Sequence, residues 1–186
     1  MTTTTVVPRG GGPLLRQHAR GPVLELAVGA ETTLGGVRVE VTPAVHDGNR
    51  LRTQAEAVGY LVRGSRTMYF AGDTAEFPEM AELAAVAGGL DVAILPVSGW
   101  GLNLGPGHMD SLAAARAVAV LRPRLAIPVH WGTLRIPVAW RLRRQHLLNV
   151  AVRFAALVAQ LAPATRVVVP VPGVPVAVAT HTGTST

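Results

Sequence analysis

Two residue types are missing from this chain of 186 residues: it has no cysteine and no lysine. Without cysteine there is neither a disulfide framework nor a thiolate metal site, so any metal must be held by imidazole and carboxylate groups. Without lysine, all 17 basic residues are arginine. These are scattered apart from Arg141, Arg143 and Arg144, and aromatics make up only 4% of the chain. The net charge of +6 therefore has no stacking platform beside it, which argues against a nucleic-acid partner. Long apolar runs are lacking too. The best candidate, Leu147 to Leu161, is short and carries Arg153 and Gln160, so no transmembrane segment is expected. Met1 to Thr5 has neither the basic nor the apolar stretch of a signal peptide, which makes a cytoplasmic protein the expectation.

Apolar residues are abundant: 49% of the chain is hydrophobic, only 15% is charged, and the mean hydropathy is +0.35. With no membrane segment to absorb it, that surplus has to be buried in a core or against a partner. The length suits one domain, able to bury roughly 70% of its unfolded surface. Thr2 to Thr5 is polar and expected to fray. Val6 to Pro8 reads as a short strand ending in the Gly10-Gly11-Gly12 turn, and Leu14 to His18 as one helical turn. Val23 to Leu26 and Val37 to Val41 are β-branched runs, with Gly35-Gly36 between them as a hairpin signal. Tyr60 to Val62 and Thr67 to Ala71 form another strand pair.

The period then changes. Glu76 to Val86 reads as a helix closed by Gly88-Gly89, and Val92 to Val97 as a buried strand followed by a glycine-rich loop, Gly99 to Gly107. Asp110 is placed to cap an alanine-rich helix over Ser111 to Leu121. Leu125 to Val129 is a second fully apolar strand. A last helix lies within Asn149 to Leu161, a last strand is Val167 to Val169, and a proline-rich tail begins at Pro170. Strands alternating with helices give an α/β layered fold.

Three polar residues stand where apolar strands end. His46 follows Val39 to Val45, Asp73 follows Met68 to Gly72, and His130 follows Leu125 to Val129. Open α/β sheets put their sites beyond the carboxyl ends of strands, and two imidazoles with a carboxylate there suit a divalent metal. His108, in Gly105-Pro106-Gly107-His108-Met109-Asp110, is a fourth candidate. Plainer readings stand beside three of these: His46-Asp47-Gly48 as a turn, Asp73 as a helix cap alone or with Thr74, and His108 as a loop residue set by its glycines. His130 ends a strand too apolar to leave a histidine there casually. His18, His146 and His181 have no comparable placement.

Four local words occur in order: Thr42-Pro43-Ala44-Val45-His46-Asp47-Gly48, Tyr69-Phe70-Ala71-Gly72-Asp73-Thr74, Gly107-His108-Met109-Asp110, and Ile127-Pro128-Val129-His130-Trp131-Gly132-Thr133. Together they resemble the metallo-β-lactamase-fold hydrolases of the ascorbate-6-phosphate lactonase type and the N-acyl-phosphatidylethanolamine phospholipase D branch, over residues 6 to 165. The resemblance implies an αββα sandwich and two divalent metals per complete site, zinc or alternatively manganese. It also implies a metal-activated hydroxide attacking an ester, lactone, amide or phosphodiester of a small-molecule or lipid-like substrate. It implies that His46 completes the first metal site, that Asp73 bridges the metals, and that His130 is a ligand of the second. His108 is implied to stand on the substrate side, as an acid-base or oxyanion-stabilising group.

Such enzymes open their site with a His-x-His-x-Asp-His segment, and the 186 residues contain nothing like it. The expectation is therefore the C-terminal half of the sandwich. Residues 1–5 would be frayed, 6–169 would form a partial domain, and 170–186 would be a flexible tail. One sheet face would be left open to a homo-oligomer or a complementing chain. The competing expectation is a non-catalytic remnant or a protein-binding module.

Overall fold

The structure, a computed structural model, describes residues 3–46, 49–50, 53–98, 104–131 and 140–178. In chain order the elements are β1 (Thr5–Pro8), α1 (Gly12–Leu15), β2 (Val23–Leu26), β3 (Glu31–Leu34), β4 (Val37–Pro43), β5 (Asn49–Arg50), β6 (Thr53–Gln54), β7 (Val58–Arg63) and β8 (Thr67–Phe70). They continue with α2 (Met80–Val86), β9 (Val92–Pro96), α3 (Ser111–Leu121), β10 (Leu125–Val129), α4 (Trp140–Leu161) and β11 (Arg166–Val167).

The centre of the molecule is a seven-stranded mixed sheet in the order β11-β10-β9-β8-β7-β4-β3. Strands β8 to β11 run parallel, while β7 is antiparallel to both β8 and β4. Strands β4, β8, β9 and β10 therefore all point the same way, and their carboxyl ends share one edge of the sheet. The opposite edge is tied down by Asp91, which accepts from the Thr67 amide at 2.9 Å and pairs with Arg66 at 3.3 Å. Strands β1 and β2 form a separate parallel pair.

Alternation along the strands divides the apolar residues between two faces. One face carries Leu61, Tyr69, Ala71, Ala93, Leu95, Val97 and Ala126, which pack against the helices. Helix α3 meets it with Ala114, Ala115, Ala117, Val118 and Leu121, and α4 with Val150, Ala151, Phe154 and Val158, all buried. The spacing 150, 154, 158 is one stripe of a 3.6-residue period. Alanines on α3 let α4 approach closely, and the Ser111 hydroxyl donates to the Val150 carbonyl at 2.9 Å.

The other face is a ladder set by register. Val41 opposes Tyr60, Tyr60 opposes Phe70, Phe70 opposes Ile94 and Ile94 opposes Ile127. Its outer part, with Val92, Leu125 and Ile127, is covered by Val168 and Val176. Phe70, at the centre, is 39% exposed.

Several elements depart from expectation. Gly35-Gly36 does turn a hairpin, but between β3 and β4. The run at Val23 to Leu26 pairs with β1 instead. Strand β3, Glu-Thr-Thr-Leu, lacks the β-branched apolar signal because it is a half-exposed edge. Helix α2 starts at Met80 rather than Glu76, since a residue before proline is pushed out of the helical region and Pro78 shortens the segment. Helix α4 begins nine residues ahead of Asn149, at Trp140. Asp47-Gly48, Gly99 to Asn103, Gly132-Thr133 and His181 lie outside the described residues.

Candidate metal centre

The carboxyl-end edge gathers the residues that carry chemistry. His46 lies three residues beyond β4, Asp73 three beyond β8, and His130 directly after β10. His108 comes from the connection between β9 and α3.

Backbone hydrogen bonds bring these segments together. The Thr74 hydroxyl, fully buried, accepts from the Val45 amide at 2.8 Å and donates to the Ala75 carbonyl at 2.8 Å. The Ala75 amide donates to the Val45 carbonyl at 2.8 Å. Thus the residue before His46 is clamped to the residues just after Asp73. The Ser98 amide donates to the Met109 carbonyl at 2.8 Å, and the Val97 amide to the Val129 carbonyl at 2.9 Å, which holds the remaining segments to the ends of β9 and β10.

Two close pairs result. His46 and His108 approach Nε2 to Nε2 at 3.2 Å, their rings edge-to-face at 78°. Asp73 Oδ1 and His130 Nε2 face each other at 3.9 Å, half-buried. Two glycines make room. Gly72 has φ +65°, and a Cβ there would stand 2.4 Å from the Val58 carbonyl oxygen. Gly107 has φ +82° and lies against His46, where a Cβ would be 3.0 Å from its Cα. His130 itself has φ +69°, a left-handed conformation that non-glycine residues adopt at a cost and that concentrates at functional sites.

The helix-cap reading of Asp73 does not hold: α2 starts seven residues later and has no side-chain cap. Asp110 does cap α3, its Oδ1 accepting from the Leu112 and Ala113 amides at 2.9 and 2.8 Å. Thr74 and Gly107 are the working residues whose roles sequence reasoning missed. Thr74 was weighed only as a helix-cap partner of Asp73, and Gly107 only as one of the glycines setting the loop of His108.

Imidazole and carboxylate are the donor types a divalent ion takes in a cysteine-free site. At metal–ligand distances of about 2.0–2.2 Å, the 3.9 Å Asp73–His130 gap must close by about half an ångström to reach tetrahedral separation. Among the described residues no group of three or more such donors surrounds one point. The residues present thus fit a metal in kind and nearly in spacing, but are short in number.

A mixed sheet backed by helices, with these donors at its strand ends, has the architecture of the metallo-β-lactamase fold. The chain belongs to the beta-lactamase superfamily domain family, which matches residues 2–131. It is 37% identical over 142 residues to a UPF0173 metal-dependent hydrolase of Symbiobacterium thermophilum, covering 74% of this chain and 59% of that protein. With its counterpart in Opitutus terrae it shares 36% over 118 residues, 59% of this chain and 48% of that one. Among solved structures, Igni18, a metallo hydrolase of Ignicoccus hospitalis, superposes with a TM-score of 0.67 at 21% identity, over 92% of this chain and 66% of that one. The chain therefore spans about half the length of the curated relatives it matches. Among the described residues no helix is long and apolar enough to cross a membrane.

Proposed function

We propose that this chain contributes to a metal-dependent hydrolase of the lactonase and phospholipase D-like branch. Its substrate would be a small-molecule or lipid-like ester, lactone, amide or phosphodiester, in a cytoplasmic setting. The observation that carries the reading is the convergence of His46, Asp73, His108 and His130 at one sheet edge, from segments clamped by hydrogen bonds.

His46 would hold one divalent metal and His130 a second, with Asp73 between them; zinc suits the donor set best, and manganese is the alternative. Bound metal supplies Lewis acidity and an acidified water for attack on the substrate. The chain's own part is positional. The Thr74 clamp fixes the approach of the His46 segment to the Asp73 segment, and the left-handed turn at His130 aims that imidazole at Asp73. Enzymes of this kind also use a His-x-His-x-Asp-His segment, absent from these 186 residues. The full ligand count thus depends on donors from outside this sequence, and the chain by itself is expected to bind metal weakly and turn over little.

The test is zinc stoichiometry by elemental analysis, with affinity by calorimetry for the wild type, His46→Ala and His130→Ala. Weakened binding in both variants is expected. Unchanged affinity in both refutes the proposal.

A second reading is favoured by the partly exposed apolar ladder around Phe70. In it the chain is a non-catalytic module that docks a complementing chain bearing a second sheet layer. Light scattering on the purified chain distinguishes the outcomes. A clean monomer with sharp cooperative unfolding counts against this reading, and a self-associated species assigns the face to a second copy.

A further inference from the structure

The relation between His46 and His108 goes further than the resemblance implies. His108 Nδ1 lies 3.1 Å from the Pro106 carbonyl oxygen. A carbonyl only accepts, so in this hydrogen bond Nδ1 carries the proton, and in the neutral ring Nε2 then presents its lone pair. That lone pair is on the nitrogen that stands 3.2 Å from His46 Nε2.

An imidazole that donates one N–H to a backbone carbonyl while the other nitrogen faces a second imidazole has the orientation of a metal ligand, in which the outer hydrogen bond fixes tautomer and ring plane. The spacing agrees. An ion placed about 2.05 Å from each of two nitrogens 3.2 Å apart subtends about 100° between them, near tetrahedral. The Asp73–His130 gap would need to close to do the same. The approach is also built into the backbone: Gly107, in the left-handed region, seats its backbone against His46 where any larger residue would intrude on His46 Cα and Cδ2.

We infer that His108 is a metal ligand in this chain, chelating one divalent ion together with His46, in place of a substrate-side role. The inference rests on the proposed metal-dependent function, and it supplies a second imidazole to the metal site that otherwise retains only His46 and Asp73. A two-imidazole chelate would be a weak site, one protein ligand short of the three that catalytic zinc usually takes.

Cobalt(II) titration of the full chain, followed by its visible absorption, provides the test for the wild type, His46→Ala, His108→Ala and His130→Ala, with circular dichroism confirming the fold of each. His46→Ala and His108→Ala are expected to lose at least about tenfold in affinity. If His46→Ala and His130→Ala lose affinity while His108→Ala binds as the wild type does, this inference falls and the proposed function stands. If His46→Ala and His108→Ala lose affinity and His130→Ala does not, the chelate stands and the two-metal reading falls. Should His108→Ala not fold, nitrogen NMR of the wild type with cadmium-113 decides. Splitting at both His46 Nε2 and His108 Nε2 supports the chelate; splitting at His46 without His108 overturns it, and splitting at no histidine overturns both readings.

Discussion

The left-handed backbone at His130 gives a stability prediction that needs no metal. His130 has φ +69° at the end of β10. An L-residue held there costs ~1–2 kcal/mol relative to the right-handed region. Glycine escapes that cost but gives back ~0.5–1 kcal/mol through the greater freedom of its unfolded chain. Replacing His130 by alanine or by glycine removes the same imidazole and the same 3.9 Å approach to Asp73, so the difference between the two variants isolates the backbone. His130→Gly should then be more stable than His130→Ala by about 0.5–1 kcal/mol, or about 1–4 °C in Tm for a chain of this size. Urea and thermal denaturation in the presence of a chelator, read by circular dichroism, measure it directly. Equal stabilities, or a more stable alanine variant, would refute the argument, because they would mean that the peptide after β10 is not left-handed in solution.

Two further predictions concern single side chains. Asp110→Ala should cost about 1 kcal/mol, with Asp110→Asn recovering most of it, since one carboxylate oxygen caps two amides of α3; chemical denaturation of the three proteins checks this. Burial holds the Tyr69 phenol well above its usual range, with the nearby Thr42 hydroxyl opposing only in part and not reaching hydrogen-bonding geometry. Above about pH 10 the unfolded chain releases that proton while the native chain keeps it, so stability should fall as pH rises. Tyr69→Phe should flatten most of that slope, with Tyr60, raised by the same cause, carrying the remainder. At neutral pH the same change should alter stability by less than about 1 kcal/mol, because the hydroxyl is buried without a hydrogen-bond partner among the described residues. Urea midpoints at about pH 8 and about pH 10.5 make the comparison.

The legible parts of the fold were those with a strong local signal. Strand β10 and helix α3 have the bounds their sequence suggests, the first because five apolar residues precede a histidine, the second because Asp110 caps it and a left-handed Arg122 ends it. Where local signal and tertiary demand differ, the reading slipped. Glu31 to Leu34 is a strand only because β4 offers it an edge. Pairing of Val23 to Leu26 with β1 rather than β4 is a long-range choice that no turn residue announces. At the candidate site, the strand-end positions of His46, Asp73 and His130 followed from apolar runs stopping abruptly. The contact of His46 with His108, 62 residues away, depends on how the β9–α3 connection folds back, and on a glycine whose neighbour is invisible in one dimension.

Under the proposed function, the Val45–Thr74 clamp bears on which ions this edge would accept. Because the Val45 amide and carbonyl are both engaged by residues 74 and 75, the strands of main chain carrying His46 and Asp73 behave as a single jaw. Were a cation held as proposed, adjustment to its radius would fall to the facing jaw, where the segments carrying His108 and His130 are tied separately to the ends of β9 and β10. Size discrimination at this edge would then be asymmetric, with one side a single backbone unit set when the sheet forms and the other made of two segments with separate anchors.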